Sequence, residues 1–227
     1  MPTTLAFDVY GTLIDTHGVV RALQGMVGDK AREFSLTWRE KQLEYSFRRA
    51  LMQNYETFAV CTRQALDYTC AYYKVTLGDD QKSTLLSIYR ELPAFDDVRA
   101  GLVQLKDVGL RLFAFSNGSS DALEPLLSAA GIRDLFQGVV SVDSLKSFKP
   151  NPGVYCHFLR ESGASGDSSW LISSNPFDVI GAISAGMRSA WIRRAPDAIF
   201  DPWGIEPTIT VSRLTELKAE MFVNHDY

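Results

Sequence analysis

The chain has 227 residues, of which 46% are hydrophobic and 22% are charged, and its formal net charge is −4. These values are typical of a globular protein that buries a core without disulfide bonds. The slightly acidic balance argues against a nucleic-acid partner or an anionic membrane surface, because either would require a basic face. A small anionic substrate would therefore need locally placed cations.

The cysteines and the apolar runs indicate the compartment. Cys61, Cys70 and Cys156 are odd in number and lack the spacing of a metal site. The first residues contain no basic segment followed by an apolar stretch, and no uncharged apolar run approaches the roughly 18 residues that span a bilayer. We therefore expect a soluble, cytoplasmic protein with reduced thiols.

The first predicted element is a short buried strand at residues 5–7, which ends at Asp8 and a Gly-Thr turn. Residues 16–92 follow with helical character, no proline and few glycines. This stretch predicts a helical insert directly after the first strand.

One apolar stripe stands out in the insert. Leu36, Leu43, Phe47 and Leu51 recur at helical spacing and predict the apolar side of an amphipathic helix. Arg39 lies on the same stripe. An arginine there either extends to water at the edge of the stripe or faces a cleft, and the pattern alone leaves both possibilities open.

After Pro93, strand-like runs alternate with helical patterns. Strands are predicted at residues 110–115, 138–142, 170–172, 189–192 and 208–211. Helices are predicted at residues 119–130, 152–162 and 176–186, with a final helix capped by Ser212. Such alternation indicates βαβ units and a parallel sheet covered on both faces. We predict an α/β core formed by residues 1–15 and 93–227, with residues 16–92 inserted.

Polar residues follow the predicted strands in four segments, namely 8–12, 116–119, 149–152 and 173–178. In parallel α/β sheets, ligands bind beyond the carboxyl ends of the strands. Each segment alone has a simpler explanation, because turns, helix caps and surface charges use the same residue types.

The four segments nevertheless contain the parts of one reaction. The carboxylate of Asp8 can act as a nucleophile on carbon or phosphorus. Free backbone amides around Ser116 favour an anion. A nearby Lys149 would hold Asp8 ionised, and Asp178 could activate a water molecule as a base.

In this order, the segments resemble the motifs of the haloacid dehalogenase (HAD) superfamily, which carries an aspartate, a serine or threonine, a lysine and a final acid at these strand ends. The insert resembles the cap of that superfamily, so the resemblance covers nearly the whole chain. It implies a HAD-like Rossmannoid core, with a parallel sheet flanked by helices, and an inserted helical cap subdomain.

Two positions depart from the magnesium-dependent phosphatases of that superfamily. Tyr10 stands where they carry a second aspartate, and the last motif offers one acid, Asp178, with Asn175 near it. Magnesium prefers hard, mostly anionic oxygen ligands. A departing halide, unlike an alkoxide, needs no proton.

The L-2-haloacid dehalogenases share this altered pattern. Their D-x-Y-G-T-L, W-R-x-K-Q-L-E-Y, S-N-G, K-P-x-P-x-V-Y and S-S-N-x-x-D motifs match residues 8–13, 38–45, 116–118, 149–155 and 173–178. The resemblance implies hydrolysis of (S)-2-haloacids to (R)-2-hydroxyacids through an ester of Asp8, without a metal ion or another cofactor. It also implies a cleft-facing role for Arg39.

The resemblance assigns roles to individual positions. The implied catalytic residues are Asp8, Thr12, Arg39, Ser116, Asn117, Lys149, Tyr155, Ser173, Asn175 and Asp178. The implied substrate-binding residues are Val9, Tyr10, Arg39, Gln42, Phe58, Ser116, Asn117 and Phe177. Phe177 stands where the family commonly has a tryptophan, which leaves the size of the substrate open.

The implied partner is a small 2-haloalkanoic acid, and a homodimer is expected because members of this group often form one. The aromatic residues of the insert could supply the interface or belong to the core; they are Phe47, Tyr55, Tyr68, Tyr72 and Tyr73. Two alternatives are a phosphatase and a non-catalytic binding protein on the same fold. The preferred halogen, including fluoride, the acyl chain length and the physiological substrate stay open.

Overall fold

A computed structural model describes residues 3–223. In this part of the chain, six strands form one sheet in the order β3-β2-β1-β4-β5-β6, and every neighbouring pair is parallel. The strands are β1 (Thr4–Phe7), β2 (Arg111–Ser116), β3 (Gly138–Ser141), β4 (Ser169–Ser173), β5 (Arg188–Ile192) and β6 (Ile209–Val211).

The central strands are apolar on both faces, as expected for a parallel sheet covered by helices on both sides. Leu5 and Phe7 of β1 pack into one hydrophobic cluster, whereas Ala6 packs into another. The same alternation runs along β2, where Phe113 and Phe115 join the cluster of Ala6. The sheet therefore separates two cores, and its apolar strands end together at one edge.

Helices cover the sheet and build the insert. Those of the insert are α1 (Gly18–Val27), α2 (Ala31–Met52), α3 (Phe58–Tyr73) and α4 (Asp79–Ile88). Those that follow the insert are α5 (Val98–Asp107), α6 (Ser120–Ala129), α7 (Pro152–Ser162), α8 (Pro176–Ser184) and α9 (Leu217–Val223). A parallel sheet flanked by helices, with a helical insert after β1, confirms the predicted fold class. The proposed domain bounds at 15 and 93 stay predictions.

The apolar stripe predicted for α2 is not its buried side. Leu36 and Leu51 are 57% and 85% exposed, whereas Phe34, Trp38 and Gln42 are buried. The prediction is wrong because the buried side of α2 includes polar groups that are satisfied by the next helix. The Trp38 indole donates to the carbonyl oxygen of Thr62 at 2.8 Å.

Two further details differ from the sequence predictions. Helix α5 was not predicted, although Val98, Leu102 and Leu105 recur at helical spacing and are buried. Ser212 does not cap the last helix with its side chain; instead its backbone amide donates to Glu216 at 2.9 Å. None of the helices within residues 3–223 has the length and apolar character required to span a bilayer.

Candidate active site

The candidate site lies where β1, β2 and β4 end. Because β1 is central and its neighbours are parallel, the residues that follow these three strands meet at one edge of the sheet. The segment 149–152 was predicted to follow a strand directly, and the structure differs. Lys149 does not directly follow a strand, since a 3₁₀ turn, Val142–Leu145, separates it from β3.

Asp8 is a nearly buried carboxylate whose two oxygens have different surroundings. Its Oδ2 accepts hydrogen bonds from Thr12 Oγ1 at 2.8 Å, Asn175 Nδ2 at 2.8 Å and Ser173 Oγ at 3.3 Å. Its Oδ1 accepts only from Lys149 Nζ, at 3.3 Å, among the described residues. One oxygen is thus firmly held, and the other is available to attack an electrophile.

Lys149 is the buried cation that links the site. Its Nζ donates to Asp178 Oδ2 at 2.8 Å and to the Phe115 carbonyl oxygen at 2.9 Å, in addition to Asp8. Its backbone amide donates to Asn117 Oδ1 at 2.9 Å. These bonds fix one ammonium group between two carboxylates, where it compensates the cost of their burial.

Asp178 is fully buried and lies behind Lys149. Tyr155 donates its hydroxyl to Asp178 Oδ1 at 2.9 Å. Burial raises the pKa of Asp178 to about 6; the Lys149 charge opposes this shift and the Asp8 charge adds to it. Burial also raises the pKa of Tyr155 well above its usual value, which keeps its hydroxyl a donor.

The insert brings Arg39 to the same edge. Its guanidinium Nη1 donates to Gln42 Oε1 at 2.7 Å, and Nη2 lies 3.4 Å from the Tyr10 carbonyl oxygen. Gln42 in turn donates to the hydroxyl of Thr62. Helix α2 therefore presents a cation, held by a buried glutamine, above the loop that follows β1.

A cavity of about 10 Å³ lies between Asp8 and the insert, which is room for about one water molecule. The rings of Phe47 and Phe177 pack edge to face at 4.9 Å beside it. The cavity is lined by Asp8, Tyr10, Arg39, Leu43, Phe58, Ser116, Asn117, Lys149, Asn175 and Phe177. All of these except Leu43 were named from the sequence as site residues, and Leu43 was named only as part of the apolar stripe.

The other residues named from the sequence lie around this cavity. Thr12 and Ser173 bind Asp8 from behind, and Tyr155 contacts the site through Asp178. The backbone amides of Val9 and Asn117 donate to no described residue, so they are available to an anion. Gln42 lines a larger cavity next to the catalytic one.

Two residues that position the site, Arg194 and Gly181, were not predicted from the sequence. Arg194 follows β5 and donates to the Thr12 carbonyl oxygen at 2.6 Å and 3.1 Å. It also binds both carboxylate oxygens of the buried Asp97, at 2.8 Å and 2.9 Å. Gly181 is required for space, since a Cβ there would overlap the Tyr155 hydroxyl.

Residues 3–223 contain no group of three or more His, Cys, Asp or Glu side chains that could hold a metal ion. The two acids of the site, Asp8 and Asp178, already share the ammonium group of Lys149. A metal ion between them would have to displace that group. The two carboxylates of the site are therefore better suited to the ammonium group of Lys149 than to a divalent metal ion.

Known proteins resemble this chain over almost its whole length. The model of the haloacid dehalogenase-like hydrolases matches residues 2–186. Haloacetate dehalogenase H-2 of Moraxella sp. (strain B) is 39% identical over 91% of this chain and 92% of that protein. The (S)-2-haloacid dehalogenase of Pseudomonas sp. (strain YL) is 37% identical over 96% and 93%.

A solved structure of the same fold contains a covalently bound acid. The L-2-haloacid dehalogenase of Xanthobacter autotrophicus, with chloropropionic acid covalently bound, superposes with a TM-score of 0.89 at 29% identity. The match covers 98% of this chain and 99% of that one. With the family model and these relatives in agreement, the chain belongs to the haloacid dehalogenase-like hydrolase family.

Proposed function

We propose that this chain hydrolyses the carbon–halogen bond of small (S)-2-haloacids and releases (R)-2-hydroxyacids, through an ester of Asp8 and without a metal ion. The observation that carries the proposal is the geometry of Asp8. Its Oδ2 is held by three donors, whereas its Oδ1 accepts only from Lys149 among the described residues. Asp8 lines a small cavity that Arg39 also lines from the insert.

Ester formation follows from the groups around the cavity. The Ser116 hydroxyl and the free amides of Val9 and Asn117 bind the substrate carboxylate, which directs C2 toward Asp8. Asp8 Oδ1 forms a bond to C2 while the carbon–halogen bond breaks from the opposite side, and the electron pair leaves with the halide. Arg39 stabilises the developing negative charge. Attack from the back inverts C2.

Ester hydrolysis requires a base, and Asp178 supplies it. A water molecule transfers a proton toward Asp178 while its oxygen attacks Cγ of Asp8. The alcohol oxygen leaves Cγ and takes up that proton. Asp8 keeps one solvent oxygen and releases the second proton of the water to solvent, which restores its carboxylate. Asp178 does not line the cavity, so this water must enter beside Lys149.

Ester formation itself prepares Asp178 for this role. Esterification removes the charge of Asp8, which is one of the causes that raise the pKa of Asp178. Lys149 then faces Asp178 as its remaining charged partner. Both changes favour the ionised, basic form of Asp178 at the stage where the water must lose a proton.

Halide release from (S)- and (R)-2-chloropropionate, in buffer with a chelator, tests the proposal. We expect release from the (S) form alone, at a rate that the chelator does not change. Magnesium-dependent hydrolysis of p-nitrophenyl phosphate without halide release would instead support a phosphatase.

The small cavity favours short acids. Its volume of about 10 Å³ holds about one water molecule, so side chains must move to admit even haloacetate, and each further carbon requires more opening beside the Phe47–Phe177 contact. The relative named for haloacetate is consistent with this preference. We therefore expect haloacetate to be turned over as well, and comparing its kcat/KM with that of (S)-2-chloropropionate measures how strictly the site selects by size.

A homodimer through the insert is a second part of the proposal. Leu51, Met52 and Tyr72 are 85%, 64% and 63% exposed on α2 and α3. By contrast, Phe47 contacts Phe177, and Tyr55 stacks on Phe148. Light scattering of the wild type and of Leu51→Glu tests this face. A monomeric wild type would refute the dimer, and a Leu51→Glu variant that stays dimeric would refute this face as the interface.

We also propose a cytoplasmic location, because Cys61, Cys70 and Cys156 are all free. Fractionation of the native host tests it, and recovery of the protein outside the cytoplasm would contradict it.

A further inference from the structure

A second cavity adjoins the catalytic one between the insert and the sheet. It measures about 420 Å³, against about 10 Å³ for the catalytic cavity. Tyr10, Gln42 and Phe58 lie at the boundary of the two cavities: Tyr10 and Phe58 line both, and Gln42 lines the larger one while it holds Arg39 of the smaller. These three side chains form the partition, and we name the larger cavity the side chamber.

Much of the side chamber has apolar walls. Val60 and Leu86 come from the insert, while Ala122 comes from α6. The rings of Tyr10 and Phe58 lie at the partition with their centroids 6.4 Å apart. These rings pack against each other, so an aliphatic chain that extends from the reacting carbon must turn them apart to enter the side chamber. Inside it, the chain would exchange water for apolar contacts, which stabilises the bound state.

The side chamber also contains two cations without a partner. Arg63 and Arg90 line it, both are exposed, and neither guanidinium makes a hydrogen bond or an ion pair within residues 3–223. The charge of Arg90 reaches the partition. Burial raises the pKa of Tyr10 to about 12, and the charges of Arg39 and Arg90 oppose that shift.

Nearby acids do not neutralise this pair. Asp67 and Asp79 line a neighbouring groove that Arg63 and Arg90 also line, but within residues 3–223 neither acid lines the side chamber or forms an ion pair with these arginines. Asp67 is already paired with Lys82 at 2.6 Å. In a chain of net charge −4, two unpaired guanidinium groups beside a catalytic cavity form a local site for an anion.

We propose that the side chamber is a second substrate subsite, and that Arg63 and Arg90 bind a second carboxylate at the far end of the substrate. The inference rests on the proposed function. It names 2-halo dicarboxylic acids as a substrate class, with C2 at Asp8 and the chain passing between Tyr10 and Phe58. The second carboxylate stays partly in water, so exposed arginines suffice to bind it.

The test compares each diacid with the monoacid of equal chain length. We expect the diacid ratio, which is kcat/KM of the diacid divided by that of the monoacid, to exceed one at a particular chain length. That length is the one at which the second carboxylate reaches Arg63 and Arg90. Arg63→Gln with Arg90→Gln should lower that ratio about fivefold, as expected for partly solvated ion pairs. Arg32→Gln is the matched control, because Arg32 is an exposed arginine of the insert that lines neither cavity.

A second pair of variants tests the chamber itself. Ala59 is exposed and lines the side chamber, whereas Ala71 is exposed on the same helix and does not. Ala59→Trp should lower turnover of long acids and spare (S)-2-chloropropionate, and Ala71→Trp should change neither. Equal effects of the two tryptophans would overturn the subsite.

The remaining outcomes separate the two proposals. If (S)-2-chloropropionate is turned over but the diacid ratio never exceeds one, the proposed function stands and the subsite is wrong. If lengthening the chain raises kcat/KM of monoacids as much as that of diacids, the chamber binds only apolar chains and the proposed roles of Arg63 and Arg90 are wrong. Calorimetric titration with adipate and hexanoate measures the same preference without turnover. Equal affinities would overturn the subsite even if no halide were released.

Discussion

The two sides of the catalytic cavity are built differently. On the sheet side, Asp8, Lys149 and Asp178 are buried and joined by hydrogen bonds that run to strand ends. On the insert side, Arg39 is half-buried and makes two contacts, and Phe47 packs edge to face on Phe177 of α8. The sheet thus holds the bond-making groups rigidly, while the insert supplies charge and shape that can adjust to the substrate.

The largest effect should come from the sheet side. Asp8→Asn removes the nucleophile but keeps the size of the side chain, so we expect halide release to fall by about 10⁴-fold or more. Circular dichroism should show an unchanged fold. A residual rate within about tenfold of the wild type, without deamidation of the introduced asparagine in the mass spectrum, would contradict covalent attack by Asp8.

Lys149→Met should cost both activity and stability. Its loss leaves two buried carboxyl groups without their shared cation, and we expect the free energy of unfolding at neutral pH to fall by about 3 kcal/mol. Arg213→Gln is the comparison, because its pair with Asp96 is largely exposed and should contribute less than about 1 kcal/mol. Urea unfolding measures both variants. Equal losses would show that burial of the Lys149 cluster has no energetic consequence.

Arg39→Gln should reduce kcat strongly but less than Asp8→Asn, by about 10²- to 10³-fold. The loss has this size because Arg39 stabilises the departing halide in the transition state. The substitution also removes the donor to the buried Gln42 Oε1, so the free energy of unfolding should fall by about 1 kcal/mol. Kinetics with 2-chloro- and 2-bromopropionate measure the effect. An unchanged kcat with either halogen would remove Arg39 from the reaction.

The pKa of Asp178 gives a pH dependence on the sheet side. Because the basic form is required in the ester, where Asp8 no longer raises the pKa of Asp178, kcat should fall only at a pH below 6. The stability effect has the opposite direction. The folded state binds this proton more tightly than the unfolded chain, so the contribution of Asp178 is largest at acidic pH and is lost as pH rises through about 6. Asp178→Asn should remove this pH dependence of stability. If the urea midpoint of the variant still changes with pH in the same way, another group causes the dependence.

The smallest effect should come from the aromatic contact between the core and the insert. Phe177→Ala opens the cavity beside Phe47 and should shift preference toward longer monoacids by about tenfold, since one methylene group in an apolar pocket changes specificity by about this factor. Ratios of kcat/KM along a chain-length series measure it. A preference identical to that of the wild type would show that Phe177 does not limit size.

The sheet side could be predicted from the sequence better than the insert side, for a physical reason. Asp8, Ser116 and Asp178 follow apolar strands, and parallel strands bring such positions to one edge. The buried side of α2 could not be read from apolar spacing, because Gln42 and Ser46 are buried there with polar partners.

Long-range supports were not predictable at all. Arg194 contacts Thr12 across 182 positions of sequence, and no local pattern marks that contact. The need for Gly181 becomes visible only when the Tyr155 hydroxyl is placed against it. Both positions lack a sequence signal because each depends on packing between elements.

The most direct test is a single turnover of (S)-2-chloropropionate in oxygen-18 water with enzyme in excess, followed by peptide mass spectrometry. We expect solvent oxygen in the peptide that contains Asp8, and unlabelled oxygen in the hydroxyacid after the first turnover. Label found first in the hydroxyacid, with none in Asp8, would mean that water attacks the substrate directly and that no ester of Asp8 forms.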